Sequence, residues 1–210
     1  VEAAIELVDG EPRYRLVPGR AWERIFCTAA VRTALQDAAA VVYGTLAQRS
    51  WEGLTSFRTM LGAAPASCLR VCDPNLRPGT LDLPALSAAL DAADVVKLGA
   101  AELATCADAL GDADLLATLR RRCKLVAITR GAAGSTLYAG DETVEVAAVV
   151  APPGGDNVGC GDAYVAMLTA GVVLGWPLVR TGAIASRWAA YVAGVRGATP
   201  TLPAATMPAI

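Results

Sequence analysis

The chain has no histidine among its 210 residues. A zinc site would therefore have to be built from cysteines and carboxylates alone. It also has no C-x-x-C pair. Its six cysteines (Cys27, Cys68, Cys72, Cys106, Cys123 and Cys160) are scattered, mostly among apolar neighbours. That pattern speaks against a disulfide framework and for buried free thiols in a reducing, cytoplasmic setting. An excess of positive charge is missing as well: 18 Lys and Arg stand against 20 Asp and Glu, a net charge of −2. No basic field exists to draw in nucleic acid or an anionic membrane, and Arg120-Arg121-Arg122 reads as the solvated end of a helix. No signal peptide opens the chain, because Glu2, Glu6 and Asp9 interrupt any apolar run. The one stretch resembling a membrane span, Ala163 to Val179, has 17 residues without a charge but contains Gly171, Gly175 and Pro177. It reads as a buried helix, a turn at Gly175-Trp176-Pro177 and the start of another helix.

What is present is apolar and regularly punctuated. A hydrophobic content of 54% and a mean hydropathy of +0.43 describe a well-buried globular protein and argue against disorder, and 210 residues are enough for one α/β domain with a sizeable core. Val1–Leu7 and Arg13–Val17 flank Asp9-Gly10, a hairpin-type turn signal. Beyond them, β-branched runs at Ala39–Tyr43, Cys68–Asp73, Val95–Leu98 and Leu125–Thr129 alternate with alanine-rich helical stretches. The helices are predicted at Ala21–Gln36, Trp51–Leu61, Leu83–Asp91, Ala101–Leu110 and Asp114–Arg122. That rhythm predicts βαβ units and a mainly parallel sheet covered on both faces. Two further strands are expected at Ser135–Tyr138 and Glu145–Val150, then a Gly/Pro-rich loop from Ala151 to Gly161. Helices at Asp162–Leu174 and Leu178–Val195 close the domain, and Pro203–Ile210 is expected to fray.

The stretch richest in chemistry is Asp156-Asn157-Val158-Gly159-Cys160-Gly161-Asp162. Glycines just before a helix let backbone N–H groups converge, and the positive end of the helix dipole adds to them, forming an anion site. A carboxylate at the same helix start suits phosphoryl transfer, where positioning and charge stabilisation supply most of the catalysis. The plainer reading is that Gly159 and Gly161 shape a tight loop and Asp162 caps the helix.

This segment resembles the D-T-x-G-A-G-D signature of the PfkB family of carbohydrate kinases, and further family patterns follow in order. Asp73-Pro74-Asn75-Leu76-Arg77 resembles D-x-N-x-R, and Lys97 to Glu102 resembles K-x-N-x-x-E. Thr129 to Gly134 is similar to T-x-G-x-x-G, and Gly197-Ala198-Thr199-Pro200 to the closing G-A-T-P. Gly44 to Arg49 resembles the fructokinase-like branch. The resemblance implies a ribokinase-like three-layer α/β fold with part of a small β lid: a lid hairpin over 1–18, the catalytic domain over 19–202 and a tail over 203–210. It implies an ATP-dependent sugar kinase, a phosphotransferase with an alcohol acceptor. Asp162 is then the base, with the amides of Gly159, Cys160 and Gly161 as the hole for the transferring phosphoryl group. Thr129, Gly131, Gly134 and Ser186 are implied along the nucleotide, Glu102 on Mg²⁺ through water, and Asp156 on a monovalent cation such as K⁺. Asn75 and Arg77 serve the phosphates and sugar or form a strand-end turn. Gln48 and Arg49 reach the sugar or sit in a solvated loop.

Several residues depart from the family pattern. Gly99 stands where the family has Asn, Asn157 follows the first Asp in place of Thr, Cys160 replaces Ala, and Ser186 replaces a frequent Asn near adenine. The Cys160 thiol, at a helix start, is either activated or buried and inert. No family-type sugar-gripping segment is found, so the chain is expected to begin inside the lid and to be poorly active by itself. The implied partners are a small-molecule sugar and, through the lid, a second copy of the chain. A lapsed kinase that only binds nucleotide or sugar, and a nucleoside or vitamin kinase of the same fold, are the alternatives.

Overall fold

The computed structural model describes residues 3–8, 11–16, 19 and 21–201. An antiparallel hairpin, β1 (Ala3–Val8) and β2 (Glu11–Leu16), forms its own two-stranded sheet. The Asp9-Gly10 turn and the 203–210 tail lie outside the described residues.

The main sheet has six strands in sequence order: β3 (Ala40–Tyr43), β4 (Leu69–Cys72), β5 (Val95–Gly99), β6 (Leu125–Thr129), β7 (Ser135–Ala139) and β8 (Glu142–Val146). The first four are parallel, and β7 and β8 return antiparallel. Helices α1 (Ala29–Gln36), α2 (Trp51–Ala63), α3 (Leu83–Asp91), α4 (Ala100–Leu110) and α5 (Leu115–Arg122) fall between or beside the parallel strands, and α6 (Cys160–Val173) and α7 (Leu178–Ala193) follow the hairpin. Strand alternation divides the core into two layers. Cys72, Val96, Leu98, Val126 and Ile128 pack with α3, α4 and α5. Val71, Val95, Leu125, Ala127 and Leu137 face Tyr164, Val165, Leu168 and Ala185 of α6 and α7. Both faces are therefore covered, as the near-continuous apolar strands require.

Two expectations are corrected. The stretch Ala21–Gln36 is not one helix: a 3₁₀ turn at Ala21–Glu23 is followed by irregular chain, and α1 starts at Ala29. Thr28 breaks the run by capping, its Oγ1 accepting from the Val31 N–H at 3.3 Å. The last strand is Glu142–Val146, not Glu145–Val150. A two-residue loop with Gly140 at φ +56° sets the register Ala139↔Glu142 and Leu137↔Val144, so turn geometry overrides the β-branched run further on. Arg120 also departs from a freely solvated helix end, lying over the Tyr138 ring at 4.6 Å. The turn after α6 is as expected, with Gly175 at φ +65° and the Trp176 N–H returning to the Gly171 carbonyl at 2.9 Å. Among the described residues no helix is long and apolar enough to cross a membrane, and all six cysteines are free.

Candidate active site

Parallel strands of an open α/β sheet end on one side, and ligand crevices form beyond their carboxyl ends. Here that edge holds a cleft of about 640 Å³. Asp73 follows β4, Lys97 lies in β5, Gly99 to Glu102 open α4, Thr129 ends β6 and Arg130 and Gly131 follow it; the α6 N-terminus, Gly159 to Asp162, closes it.

Helix α6 is fixed from two sides. Tyr164 and Ser135 share a buried hydroxyl–hydroxyl hydrogen bond of 2.8 Å, and Val165 and Leu168 are in the core. Its cap is Gly159 in the left-handed region at φ +81°, so helical geometry begins at Cys160 and Asp162 is its third residue. Asp162 is thus not the N-cap. The amides of Cys160, Gly161 and Asp162 have no acceptor inside the helix, as at any helix start. The Asp162 carboxylate is exposed at the cleft and makes no hydrogen bond to another described residue. Burial pushes the Cys160 thiol up, against the lowering influence of the Gly161 amide and Lys97, which favours the inert reading of that thiol.

The loop leading to α6 is braced from behind. Asp156 accepts from the Val158 N–H at 3.1 Å and the Gly197 N–H at 3.0 Å, and these backbone bonds hold its carboxyl below the usual range. A Cβ on Gly155 would stand 1.9 Å from the Ala193 carbonyl, so only glycine lets the loop lie on the end of α7. Asn157 is left-handed at φ +57°. Asn is among the residues that tolerate that conformation, and a β-branched residue is strained in it. Asn75 has the same conformation at φ +48° and also lines the cleft with Arg77, so the turn and the site coincide there.

Glu102 accepts from the Leu76 N–H at 2.8 Å and the Gly99 N–H at 2.7 Å. Its carboxylate therefore ties the Asn75 turn to the start of α4. Gly99 is the cap of α4, with no side chain to complete the reciprocal half of a capping box. Thr129 donates to the Leu98 carbonyl at 3.4 Å and lines the cleft with Gly131.

Other expected site residues lie elsewhere. Gly134 packs against the Val146–Ala148 backbone, and Ser186 donates to the Ala147 carbonyl at 3.1 Å; neither lines the cleft. Gln48 is buried, its amide donating to the Gly44 carbonyl, so it does not sit in a solvated loop. Arg49 pairs with Glu23 at 3.5 Å and stands 5.3 Å over the Trp22 ring, at a separate cavity lined by Leu46 and Phe26.

Sequence reasoning named the segments containing Asp73 and Lys97 but assigned neither residue to the site. The structure joins them: Lys97 Nζ lies 3.2 and 3.3 Å from the two Asp73 carboxylate oxygens, both residues are buried, and both line the cleft. The signal was a lysine inside an otherwise apolar strand, Val95-Val96-Lys97-Leu98. Burial raises the Asp73 carboxyl to about 6; Lys97 opposes the rise, and Glu102 and Asp162 add to it. Folded Asp73 thus holds its proton more tightly than the unfolded chain does. Stability is expected to fall as pH rises from about 4 to about 6, by roughly 3 kcal/mol, and to level off above. Urea denaturation across that window checks this, and a flat or rising profile contradicts it. The lowered carboxyls of Asp156 and Glu145 act the other way and mainly below this window.

An open, mostly parallel sheet that brings helix-start amides, a buried ammonium and an exposed carboxylate to one crevice defines the class as an open α/β fold. Comparison with known proteins gives the family: the chain belongs to the pfkB family of carbohydrate kinases, whose description matches residues 9–205. A fructokinase of Rhizobium leguminosarum bv. trifolii is 30% identical over 179 residues, covering 80% of this chain and 53% of that protein. The chain thus spans about half the length of that relative. Among solved structures, a fructokinase with bound ATP from Xylella fastidiosa aligns over 93% of this chain and 68% of its own, with TM-score 0.78 and 21% identity. A nucleoside kinase of Burkholderia thailandensis in complex with inosine aligns over 90% and 60%, with TM-score 0.74 and 23% identity. These likenesses establish the ribokinase-like fold.

Proposed function

We propose that this chain carries the nucleotide-binding and catalytic half of an ATP-dependent kinase that phosphorylates a hydroxyl of a free sugar, in the manner of a fructokinase. The observation that carries the reading is the α6 N-terminus, where amides without an acceptor in the helix backbone share one cleft with the Asp162 carboxylate, which makes no hydrogen bond to another described residue. In the step, Asp162 takes the proton from the sugar hydroxyl as its oxygen bonds to the γ-phosphorus. The bond from that phosphorus to the bridging oxygen breaks, and ADP leaves with the electron pair. The Cys160 and Gly161 amides face the charge spread over the equatorial oxygens.

The residues fit a magnesium ion that arrives with the nucleotide. Among the described residues no group of three or more Cys, Asp or Glu side chains could hold a metal by itself, and Mg²⁺ of this kind is bound chiefly by phosphate oxygens and water. Glu102, at the cleft with its oxygens oriented by two backbone amides, would hold such an ion through water. When bound, the ion neutralises phosphate charge. Asp156 braces the loop directly, and a K⁺ there would add to that bracing. The β1–β2 hairpin, a sheet of its own, suits a lid over the sugar that pairs with a second copy.

The free-sugar reading rests on the 179-residue match to a fructokinase; the fold likeness to an inosine-bound nucleoside kinase supports a second reading in which the hydroxyl belongs to a nucleoside. With the family's sugar-gripping segment supplied, since the chain by itself is expected to be poorly active, transfer of label from γ-³²P-ATP to fructose, ribose, inosine and adenosine separates them. Label is expected on fructose. Label on a nucleoside alone moves the assignment to the second reading, and ATP binding with transfer to none of them marks a lapsed kinase.

A further inference from the structure

The β1–β2 hairpin joins the rest of the chain through a short stalk, and Glu23 holds that stalk. Gly19, left-handed at φ +76°, donates its N–H to Glu23 Oε2 at 2.5 Å. The other Glu23 oxygen stands 3.5 Å from Arg49 Nη2. Arg49 is fixed twice more: its Nε donates to the Leu46 carbonyl at 3.2 Å, and its guanidinium lies over the Trp22 ring. The rigid fork and flat face of an arginine allow all three contacts at once, whereas a lysine's point charge could keep only the ion pair. An isolated surface pair holds little. Here the two side chains are only 27% and 28% exposed, and each has a further partner. The hold also reaches the cleft. Arg49 ends the 3₁₀ turn Leu46–Gln48 that follows β3. Thr45, at the start of that turn, donates to the Pro74 carbonyl at 3.1 Å, between Asp73 and Asn75 of the cleft. Gly19, Glu23 and Arg49 border the second cavity, of about 680 Å³, so the stalk meets the turn beside open space and not through packed core.

We propose that Glu23 and Arg49 form a latch that fixes the hairpin's stalk to the β3 end of the sheet, and that Arg49 is a positioning residue that aligns the hairpin with the cleft. Arg49 then serves the acceptor through the stalk and without touching it. The latch stands on the contacts alone; its service to the acceptor rests on the kinase reading above, in which the hairpin is a lid.

The test has two parts, and the first needs no activity. Trypsin cleavage after Arg20, which lies between Gly19 and Glu23, follows the population of the opened stalk. Arg49→Met, which loses the ion pair and the bond to Leu46, is expected to speed that cleavage about 3–10-fold, as for a partly exposed charge-assisted hydrogen bond. Cleavage after Arg196 should stay as it was. Arg49→Lys should fall between wild type and Arg49→Met, and Glu23→Gln, which can still accept from Gly19, should show a smaller effect in the same direction. If Arg49→Met does not fold, Glu23→Gln decides. Unchanged cleavage after Arg20 in the folded variants overturns the latch. The second part uses an active preparation of the kinase. Loosening the lid should raise KM for the sugar about 3–10-fold while kcat and KM for ATP stay within about 2-fold, the pattern of lost uniform binding. A loosened stalk with an unchanged sugar KM overturns the positioning role. So does a kcat that falls about 100-fold or more with the stalk still closed, because Arg49 would then act on the reacting sugar itself. A chain that binds no ATP removes the kinase reading, and the cleavage result still decides the latch.

Discussion

Asp162→Asn is expected to lower kcat about 10²–10⁴-fold in an active preparation of the kinase, with ATP affinity and melting temperature nearly unchanged. The range is that for removal of a positioned general base. Two structural facts sharpen it. Asp162 is the third residue of α6 behind a glycine cap, so its loss takes away no capping hydrogen bond. Its carboxylate also makes no hydrogen bond to another described residue, so its charge enters the folded state only through a place near the helix dipole, worth about 0.3–1 kcal/mol, and through its push on the Asp73 carboxyl. A structural role and a catalytic role therefore predict changes in different quantities: a small shift in melting temperature for the first, a large drop in kcat for the second. Retention of more than about a tenth of wild-type kcat with full stability would remove Asp162 from the role of base. The comparison needs ATP binding measured alongside, since a loss confined to KM would point to positioning of the nucleotide.

Most of the sheet was legible because its strands are local signals. Leu125–Thr129 is a run of apolar and β-branched residues, and it is strand β6 with the same bounds. The α6–α7 turn was equally readable from Gly175-Trp176-Pro177. Boundaries failed where one side chain or one turn outweighed composition, as with Thr28 ahead of α1 and Gly140 before β8. The site divides in the same way. Gly159, Cys160, Gly161 and Asp162 are contiguous, so their meeting at a helix start is written into the chain. Asp73 and Lys97 are 24 residues apart and meet only because β4 and β5 are adjacent and parallel. Nothing in either segment alone requires that pair. Ser186 and Gly134 show the converse. A motif position marks a place in the chain, and here the Ser186 hydroxyl is engaged by the Ala147 carbonyl while neither residue lines the cleft.

The closing Gly197-Ala198-Thr199-Pro200 segment acquires a physical role from the same geometry, and it sets the second large expectation. Gly197 donates its N–H to Asp156, and Ala198 packs against Gly159 so closely that a Cβ there would stand 2.7 Å from the Ala198 carbonyl oxygen and 2.9 Å from its Cα. Gly159 is also left-handed at φ +81°. Gly159→Ala therefore combines two costs, a backbone conformation that an L-residue adopts at about 1–2 kcal/mol and a contact with backbone atoms that have no flexible end to move. The loop must shift to relieve it, and the loop carries the amides of α6. A displacement of about 1 Å at such a site costs about 10²-fold in rate. Gly159→Ala is expected to weaken ATP binding, to lower kcat by about that factor or more, and to lower stability by about 1–3 kcal/mol. Asp162→Asn should leave binding and stability almost as they were, so the two variants separate a distorted anion site from a missing base. Urea denaturation and ATP titration of Gly159→Ala are the measurements. Wild-type binding in that variant would show that the α6 N-terminus holds no phosphate, because its amides follow directly on the residue that packs against Ala198.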